Sequence, residues 1–240
     1  MKEFTTLSRR VRTASKGLIG PMILIALLGG CAQEPFVRPP LPVLSGVDPQ
    51  AIRENFPRRL PRQFTSEDSV VIQAPFRDDL AVLAVLKVDR SAKTFRLLGL
   101  HQMGITIFDV GGDHDGLTVN SAIPPLMEHR DVLLSIARDI RRMYFDLSPG
   151  AAATVQVRPT RVLFEQKTPA GTLEYQFGDK PCVLLEKRLA GLFGTIWRVR
   201  YYDYRPGAGG KLYPRGIVMD NGRYHYRIIV KNRDWSVEPS

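Results

Sequence analysis

The sequence has 240 residues, a formal net charge of +10 and two cysteines. This length fits one domain with a short additional segment. Lys and Arg form no run long enough to indicate a nucleic-acid-binding surface, so we expect no nucleic-acid partner.

The first 30 residues have the pattern of an export signal, in which basic residues precede an apolar run at residues 18–28. This run is shorter than the roughly 20 residues that a membrane-spanning helix requires. It ends in Leu28-Gly29-Gly30-Cys31, which resembles the signal peptidase II site of bacterial lipoproteins. The resemblance implies a signal peptide at residues 1–30 and a lipid anchor on Cys31. The alternative is an ordinary export signal, or a membrane anchor, that contains a cysteine.

Lipidation of Cys31 would determine the location of the protein, because several acyl chains on one residue give stable anchoring. Ala32 follows, where lipoproteins retained in the inner membrane tend to have Asp, so we expect an outer-membrane protein that faces the periplasm. Cys182 would then be the only thiol, which excludes an intramolecular disulfide. Residues 1–30 hold five basic residues and one acidic residue, so their removal lowers the charge from +10 to +6. That charge suits anionic lipid head groups, or simply solubility.

Residues 31–63 carry seven prolines, at positions 35, 39, 40, 42, 49, 57 and 61. Such a composition predicts an extended, semi-rigid spacer between the anchor and the folded domain. A short helix is predicted at residues 48–55, with Asp48 as its N-cap and Pro49 at the first helical position.

From residue 69 onward the sequence is typical of β-strands joined by short turns. Asn221-Gly222 is the strongest hairpin signal, and sequential antiparallel pairing is the simplest topology. Strands are predicted at residues 70–72, 80–88, 93–100, 105–110 and 117–120, then at 161–166, 172–177, 183–187, 195–204, 217–220 and 224–231. The apolar run at residues 80–88 taken alone is equally compatible with a buried helix segment.

One convincing helix is predicted between the two sets of strands, at residues 127–145. Leu133, Ile136, Ala137, Ile140 and Tyr144 share one face of it. The charged side chains are expected to lie largely on the other faces; they are Asp131, Arg138, Asp139, Arg141 and Arg142. A sheet of this size with one wet face must curl and requires cover on its inner face, which the helix can supply.

Three segments resemble the LolB family of outer-membrane lipoprotein receptors, within the LolA/LolB-like superfamily. Residues 95–108 (FRLLGLHQMGITIF) are similar to its strand-loop-strand, and residues 197–204 (WRVRYYDY) to its Trp-x-Val-x-Tyr-x-x-Tyr segment. Tyr213-Pro214, residues 217–230 and then Trp235 follow the order of its closing hairpin. The resemblance runs loosely from about Phe64 to Trp235 and implies a LolB-like lipid-binding domain at residues 64–240. The chain also resembles uncharacterised lipoproteins associated with polyene-lipid biosynthesis.

This resemblance implies a mainly β fold with helices: an incomplete, strongly bent antiparallel β-barrel covered by a helix, with a hydrophobic cavity for acyl chains. The matching position for a membrane-inserting loop residue is Met103, which alternatively folds back onto the body. The candidates for lining the acyl cavity come from the inner face of the sheet and the apolar face of the helix. They are Phe95, Leu97, Leu133, Ile136, Ile140, Trp197, Val199 and Tyr201.

No catalytic, cofactor or metal motif is recognised in the sequence. The acidic-histidine cluster Asp113-His114-Asp115 lacks the ligand spacing of a calcium loop and the two histidines of a zinc site. There is no nucleophile elbow and no phosphate-binding glycine loop. We therefore expect a protein that is not an enzyme and needs no cofactor.

Two functional hypotheses follow. In the first, the protein binds acyl chains of membrane lipids or lipoproteins and assists their transfer or insertion at the outer membrane, receiving them from a periplasmic lipoprotein carrier. In the second, it is a structural or assembly lipoprotein that docks a protein partner in an envelope complex.

Overall fold

The computed structural model describes residues 34–74 and 78–237. The predicted signal peptide and Cys31 lie outside the described residues. Contacts within the chain define a compact unit at Phe36–Ser240, to which all the helices and strands named below belong.

In the part of the chain that the structure describes, the secondary structure consists of twelve strands and three short or medium α-helices, with one 3-10 turn at Ala208–Gly210. The helices are α1 (Pro49–Arg59), α2 (Pro124–Met127) and α3 (Arg130–Tyr144). The first five strands are β1 (Gln63–Gln73), β2 (Leu80–Asp89), β3 (Thr94–Leu100), β4 (Thr106–Gly112) and β5 (Leu117–Ala122). The remaining strands are β6 (Thr154–Arg158), β7 (Arg161–Thr168), β8 (Gly171–Gly178), β9 (Val183–Gly191), β10 (Gly194–Pro206), β11 (Leu212–Asn221) and β12 (Tyr226–Val237).

All twelve strands form one antiparallel sheet in the order β5-β4-β3-β2-β1-β12-β11-β10-β9-β8-β7-β6. Pairing is sequential, as predicted, except that β1 pairs with β12 and so joins the two halves of the chain. Within the described residues the sheet ends at β5 and β6, so the barrel does not close. The predicted fold class, an incomplete antiparallel barrel covered by a helix, is confirmed. Strand β6 is not predicted, because its five residues are all exposed and form no apolar run.

The antiparallel order places the turns at two opposite edges of the sheet. At the edge that we call the upper edge lie the turns β3–β4 (residues 101–105), β9–β10 (192–193) and β11–β12 (222–225). At the lower edge lie the turns β2–β3 (90–93), β8–β9 (179–182) and β10–β11 (207–211).

Helix α3 packs over the sheet, against β4, β5 and β11. Its predicted apolar face is confirmed, since Leu133, Ile136, Ala137, Ile140 and Tyr144 are all buried. The expectation that the charged residues avoid this face is wrong for one of them. Asp139 is fully buried, because side chains of β11 and β12 meet it with hydrogen bonds.

The proline-rich segment differs from the predicted spacer, because it packs on the body from Phe36 onward. Asp48 caps α1 as predicted, but the helix continues to Arg59. Ile52, Phe56 and Leu60 recur every four residues and are buried in the same core as the sheet. The Phe56 ring lies edge to face with Phe177 of β8, at 5.2 Å between centroids. This apolar stripe is the sequence signal that the high proline content obscures.

Candidate lipid-binding sites

The predicted cavity residues are all buried, and they all belong to one hydrophobic core. The residues of β3 and β10 that were predicted to face the inside of the sheet do so, and α3 lies above them. The predicted cavity residues are Phe95, Leu97, Leu133, Ile136, Ile140, Trp197, Val199 and Tyr201.

The interior between the sheet and α3 is nearly filled. The cavity there has a volume of about 20 Å³, and Leu97, Ile136 and Ile140 contribute to its lining. A cavity of this size has room for about one water molecule, so it does not hold an acyl chain in the observed conformation. Any chain that enters must displace side chains that now pack there.

A buried carboxyl group lies in this apolar interior. Asp68 of β1 is 2% exposed and lines the same cavity. Its carboxylate accepts hydrogen bonds from Ser66 Oγ (2.8 Å) and Asn232 Nδ2 (3.0 Å), and burial raises its pKa to about 6. The sequence pattern gives no indication of this residue, because the predicted strand begins only at Val70.

Helix α3 is fastened to the sheet through a second buried carboxylate, that of Asp139. Asn221 Nδ2 donates to Asp139 Oδ2 at 2.8 Å, and the Tyr226 hydroxyl donates to the same oxygen. Arg142 of the helix forms an ion pair with Asp139 Oδ1 at 2.6 Å. The Tyr226 hydroxyl is also 3.0 Å from Ser135 Oγ, so these contacts span more than one turn of α3.

The carboxyl end of α3 is held by side chains from around the sheet. Tyr201 donates to the carbonyl oxygen of Met143 at 2.9 Å, and Arg90 donates to that of Tyr144 at 3.0 Å. Lys187 donates to the carbonyl oxygen of Phe145 at 3.0 Å, and burial lowers the pKa of its ammonium group to about 8. Polar contacts therefore hold both the middle and the end of the helix, while its apolar face fills the interior.

Met103 lies at the tip of the β3–β4 turn on the upper edge. Its side chain is 80% exposed, so it does not fold back onto the body. Hydrogen bonds between backbone groups of His101, Gly104 and Ile105 close the turn, and Gly104 has a φ of +80°. The Met103 side chain therefore projects from the upper edge as a small apolar group.

The upper edge has a second apolar projection that sequence analysis missed. Leu192 is 90% exposed and Phe193 is 100% exposed in the β9–β10 turn. The flanking residues Gly191 and Gly194 frame a short Gly-Leu-Phe-Gly turn, and this pattern is the signal that was available in the sequence.

A larger cavity, of about 700 Å³, lies toward the lower edge, where β9 and β10 separate. Tyr201 is the one predicted cavity residue that also contributes to its lining. The other lining residues include several cationic side chains together with apolar ones, so this cavity differs in character from the interior under α3.

The acidic-histidine cluster is a solvent-exposed turn. Asp113 Oδ1 accepts hydrogen bonds from the backbone amides of Asp115 and Gly116, each at 2.9 Å. His114 and Asp115 pair with each other at 2.9 Å. Within residues 34–74 and 78–237, no group of three or more His, Cys, Asp or Glu side chains is arranged to hold a metal ion. Over the same ranges, no helix has the length and hydropathy needed to span a bilayer.

Comparison of sequences gives one family match. A family described as "Protein of unknown function (DUF3261)" matches residues 65–234. The search of curated protein sequences gives no match.

Comparison with solved structures gives the fold. A LolA superfamily protein from Nitrosomonas europaea has a TM-score of 0.51 at 9% identity, over 81% of this chain and 96% of that one. A domain named for outer membrane lipoprotein sorting, from Vibrio parahaemolyticus, has a TM-score of 0.49 at 9% identity, over 80% and 94%. A DUF1329 family protein from Desulfovibrio piger gives the same values. The predicted LolA/LolB-like fold is confirmed; identities this low carry no information on function.

Proposed function

This chain belongs to the DUF3261 family of proteins of unknown function, and we propose that it is an outer-membrane lipoprotein that binds acyl chains beneath α3. In this role it assists the transfer or insertion of lipoproteins or lipids at the outer membrane, without a catalytic step. The proposal includes a lipid anchor on Cys31 and exchange of cargo with a periplasmic lipoprotein carrier.

The observation that carries the proposal is the apolar sheet interior beneath α3. An acyl chain can replace the contacts of Leu133, Ile136 and Ile140 with equally apolar contacts when α3 moves outward. Each buried methylene group contributes about 0.8 kcal/mol, so ten of them supply about 8 kcal/mol. Each polar contact of Asp139 that breaks costs about 1–3 kcal/mol. The balance therefore allows a long chain to enter, whereas a short chain does not compensate for the lost contacts.

Quenching of Trp197 fluorescence tests this proposal directly. The chain has two tryptophans, so Trp235→Phe leaves Trp197, which lies in the core, as the only reporter. We expect saturable quenching by a monoacylglycerol that is brominated in the middle of its chain, because bromine then lies within the sheet. The uncharged head group makes the signal depend on the hydrocarbon alone.

The unbrominated monoacylglycerol serves as the control for indirect effects on fluorescence. A folded Trp235→Phe protein, verified by near-UV circular dichroism, whose emission does not respond to the brominated lipid would contradict binding beneath α3.

Exposure of the upper-edge turns favours a second candidate function, in which the protein docks a partner in an envelope complex. Met103→Glu separates the two candidates, because a charge on an exposed turn leaves the core unchanged but opposes entry into a head-group region. We expect the variant to lose most lipid transfer between donor and acceptor vesicles. Unchanged transfer, together with capture of an envelope protein by both variant and wild type, would favour the docking function.

A further inference from the structure

The cavity toward the lower edge exists because β9 and β10 separate there. Their pairing ends at Arg200 and Glu186. Beyond that point β10 pairs only with β11, and β9 only with β8. The separation leaves main-chain carbonyl groups facing the gap, and buried carbonyl groups require donors.

Arg38 supplies those donors from the proline-rich segment. Its Nη2 donates to the carbonyl oxygens of Tyr201 (2.8 Å) and Leu185 (3.1 Å), so it bridges the two strands where they part. Its guanidinium group lies 4.8 Å above the ring of Tyr202. Within the described residues, no carboxylate forms an ion pair with Arg38, and Glu186 interacts with its charge only from a longer distance.

The cavity, which we call the basal slot, has a net positive lining. Its carboxylates are Asp179 and Asp203, and Asp203 already pairs with Arg205 at 2.9 Å and with Arg215 at 3.9 Å. The cations that line it are Arg38, Arg59, Lys180, Arg205, Arg215 and Lys231. A concave surface with surplus charge of one sign concentrates ions of the opposite sign.

The wall of the slot is apolar. Val183, Leu185 and Leu212 are buried side chains that contribute to it, and the rings of Phe36 and Tyr202 lie 5.2 Å apart beside them. Gly216 permits this arrangement, because a Cβ there would lie 2.7 Å from the ring of Phe36. The volume of about 700 Å³ is within the range of about 300–1,000 Å³ that small-molecule sites occupy.

From this combination we propose that the basal slot binds a single-chain anionic amphiphile. The phosphate or carboxylate of the ligand lies among the cations of the rim, and its hydrocarbon lies along the apolar wall. This site is separate from the space beneath α3, so the inference does not depend on the proposed function.

Calorimetric titration of the full chain with dodecyl phosphate tests the inference. The Cys31→Ser substitution is present throughout, so that no attached acyl chain competes. The rim variant combines Lys180→Glu with Lys231→Glu, since both side chains are exposed. We expect its affinity to fall at least tenfold, because two attractive charges become repulsive.

The matched control combines Arg158→Glu with Lys167→Glu, which changes the total charge equally at exposed positions outside the slot. We expect its affinity to stay within about twofold of the parent protein. Equal losses in both double variants would overturn the inference, because binding would then follow total charge rather than the slot.

Two further ligands define the chemistry. Inorganic phosphate that binds as tightly as dodecyl phosphate would overturn the amphiphile assignment in favour of a free anion. Dodecyl maltoside, which has the same chain and no charge, would overturn it if it bound equally well. Trp197 quenching by the uncharged brominated lipid is expected to persist in the rim variant, so failure of this inference and failure of the proposed function are distinguishable.

Discussion

At the scale of single residues, the most unusual environment is that of Asp68, because its carboxyl group is buried among apolar side chains. Two neutral donors, Ser66 and Asn232, replace only part of the water that the ionised group loses. Burial therefore raises the pKa of Asp68 from 3.8 to about 6. The native state keeps a proton that the unfolded chain has already released between these pH values.

This pKa difference predicts how stability depends on pH. Because the native state binds the additional proton, the free energy of unfolding falls as pH rises from about 4 to about 6. A pKa difference of about 2 corresponds to about 3 kcal/mol. Asp68→Asn stays neutral at every pH, so we expect its stability relative to the wild type to increase by up to about 3 kcal/mol between pH 4 and pH 7. Urea unfolding at both pH values measures this change.

The control for this comparison is Glu67→Gln, an exposed neighbour on the same strand. It is expected to leave the pH profile of stability unchanged. If the free energy of unfolding depended on pH in the same way for the wild type and Asp68→Asn, the prediction would be contradicted. The pKa of Asp68 would then be the same in the folded and the unfolded protein.

At the scale of elements, α3 is held by a few specific polar contacts and by its apolar face. Asp139 is central to them, since it joins Arg142 on its own helix to side chains of β11 and β12. A buried carboxylate that loses one of its donors is left partly unsatisfied, which is costly. The contacts of Asp139 therefore determine how readily the helix separates from the sheet.

Removal of the Tyr226 hydroxyl is expected to loosen α3 selectively. Tyr226→Phe keeps the ring but leaves Asp139 without one donor, which costs about 1.5–3 kcal/mol for a hydrogen bond to a charged group. We expect a decrease of this size in the free energy of unfolding. We also expect the substitution to accelerate amide hydrogen exchange more in α3 than in the central strands. Tyr224→Phe is the matched control, because Tyr224 stacks on Tyr226 but is 41% exposed. Equal effects of the two substitutions would contradict a role for the Asp139 contacts.

At the scale of the whole molecule, alternation in the sequence predicts most of the sheet. Eleven strands and the covering helix were predicted in the correct order, because each has an apolar face that the curved sheet buries. The same patterns placed all eight cavity candidates in the core. Strand β6 was missed because its alternation is short, with Val155 and Val157 as its two apolar positions, and the structure leaves all five of its residues exposed.

The features that were missed depend on contacts between residues distant in sequence. Asp139 is a charged residue of a kind that is usually exposed, and its burial depends on hydrogen bonds from the distant residues Asn221 and Tyr226 as well as on Arg142 of its own helix. The basal slot requires the parting of β9 and β10 and the arrival of Arg38 from more than 140 residues earlier in the chain. The periodicity of apolar residues indicates which face of a single helix or strand is buried. It does not indicate which residues from distant parts of the sequence come into contact.

The packing of Phe36 against Tyr202 also constrains how an anchored molecule is oriented. Four residues lie between Cys31 and Phe36, and the five Cα–Cα steps of an extended chain, at about 3.5 Å each, cover about 18 Å at most. From Tyr202 to Gly194 at the upper edge, β10 rises about 3.3 Å per residue, or about 26 Å. If Cys31 is the anchor, the upper edge of the sheet at β10 reaches the same bilayer only when the strands tilt strongly away from the bilayer normal. In an upright molecule, Met103 and Phe193 point away from that bilayer, toward whatever approaches from the opposite side.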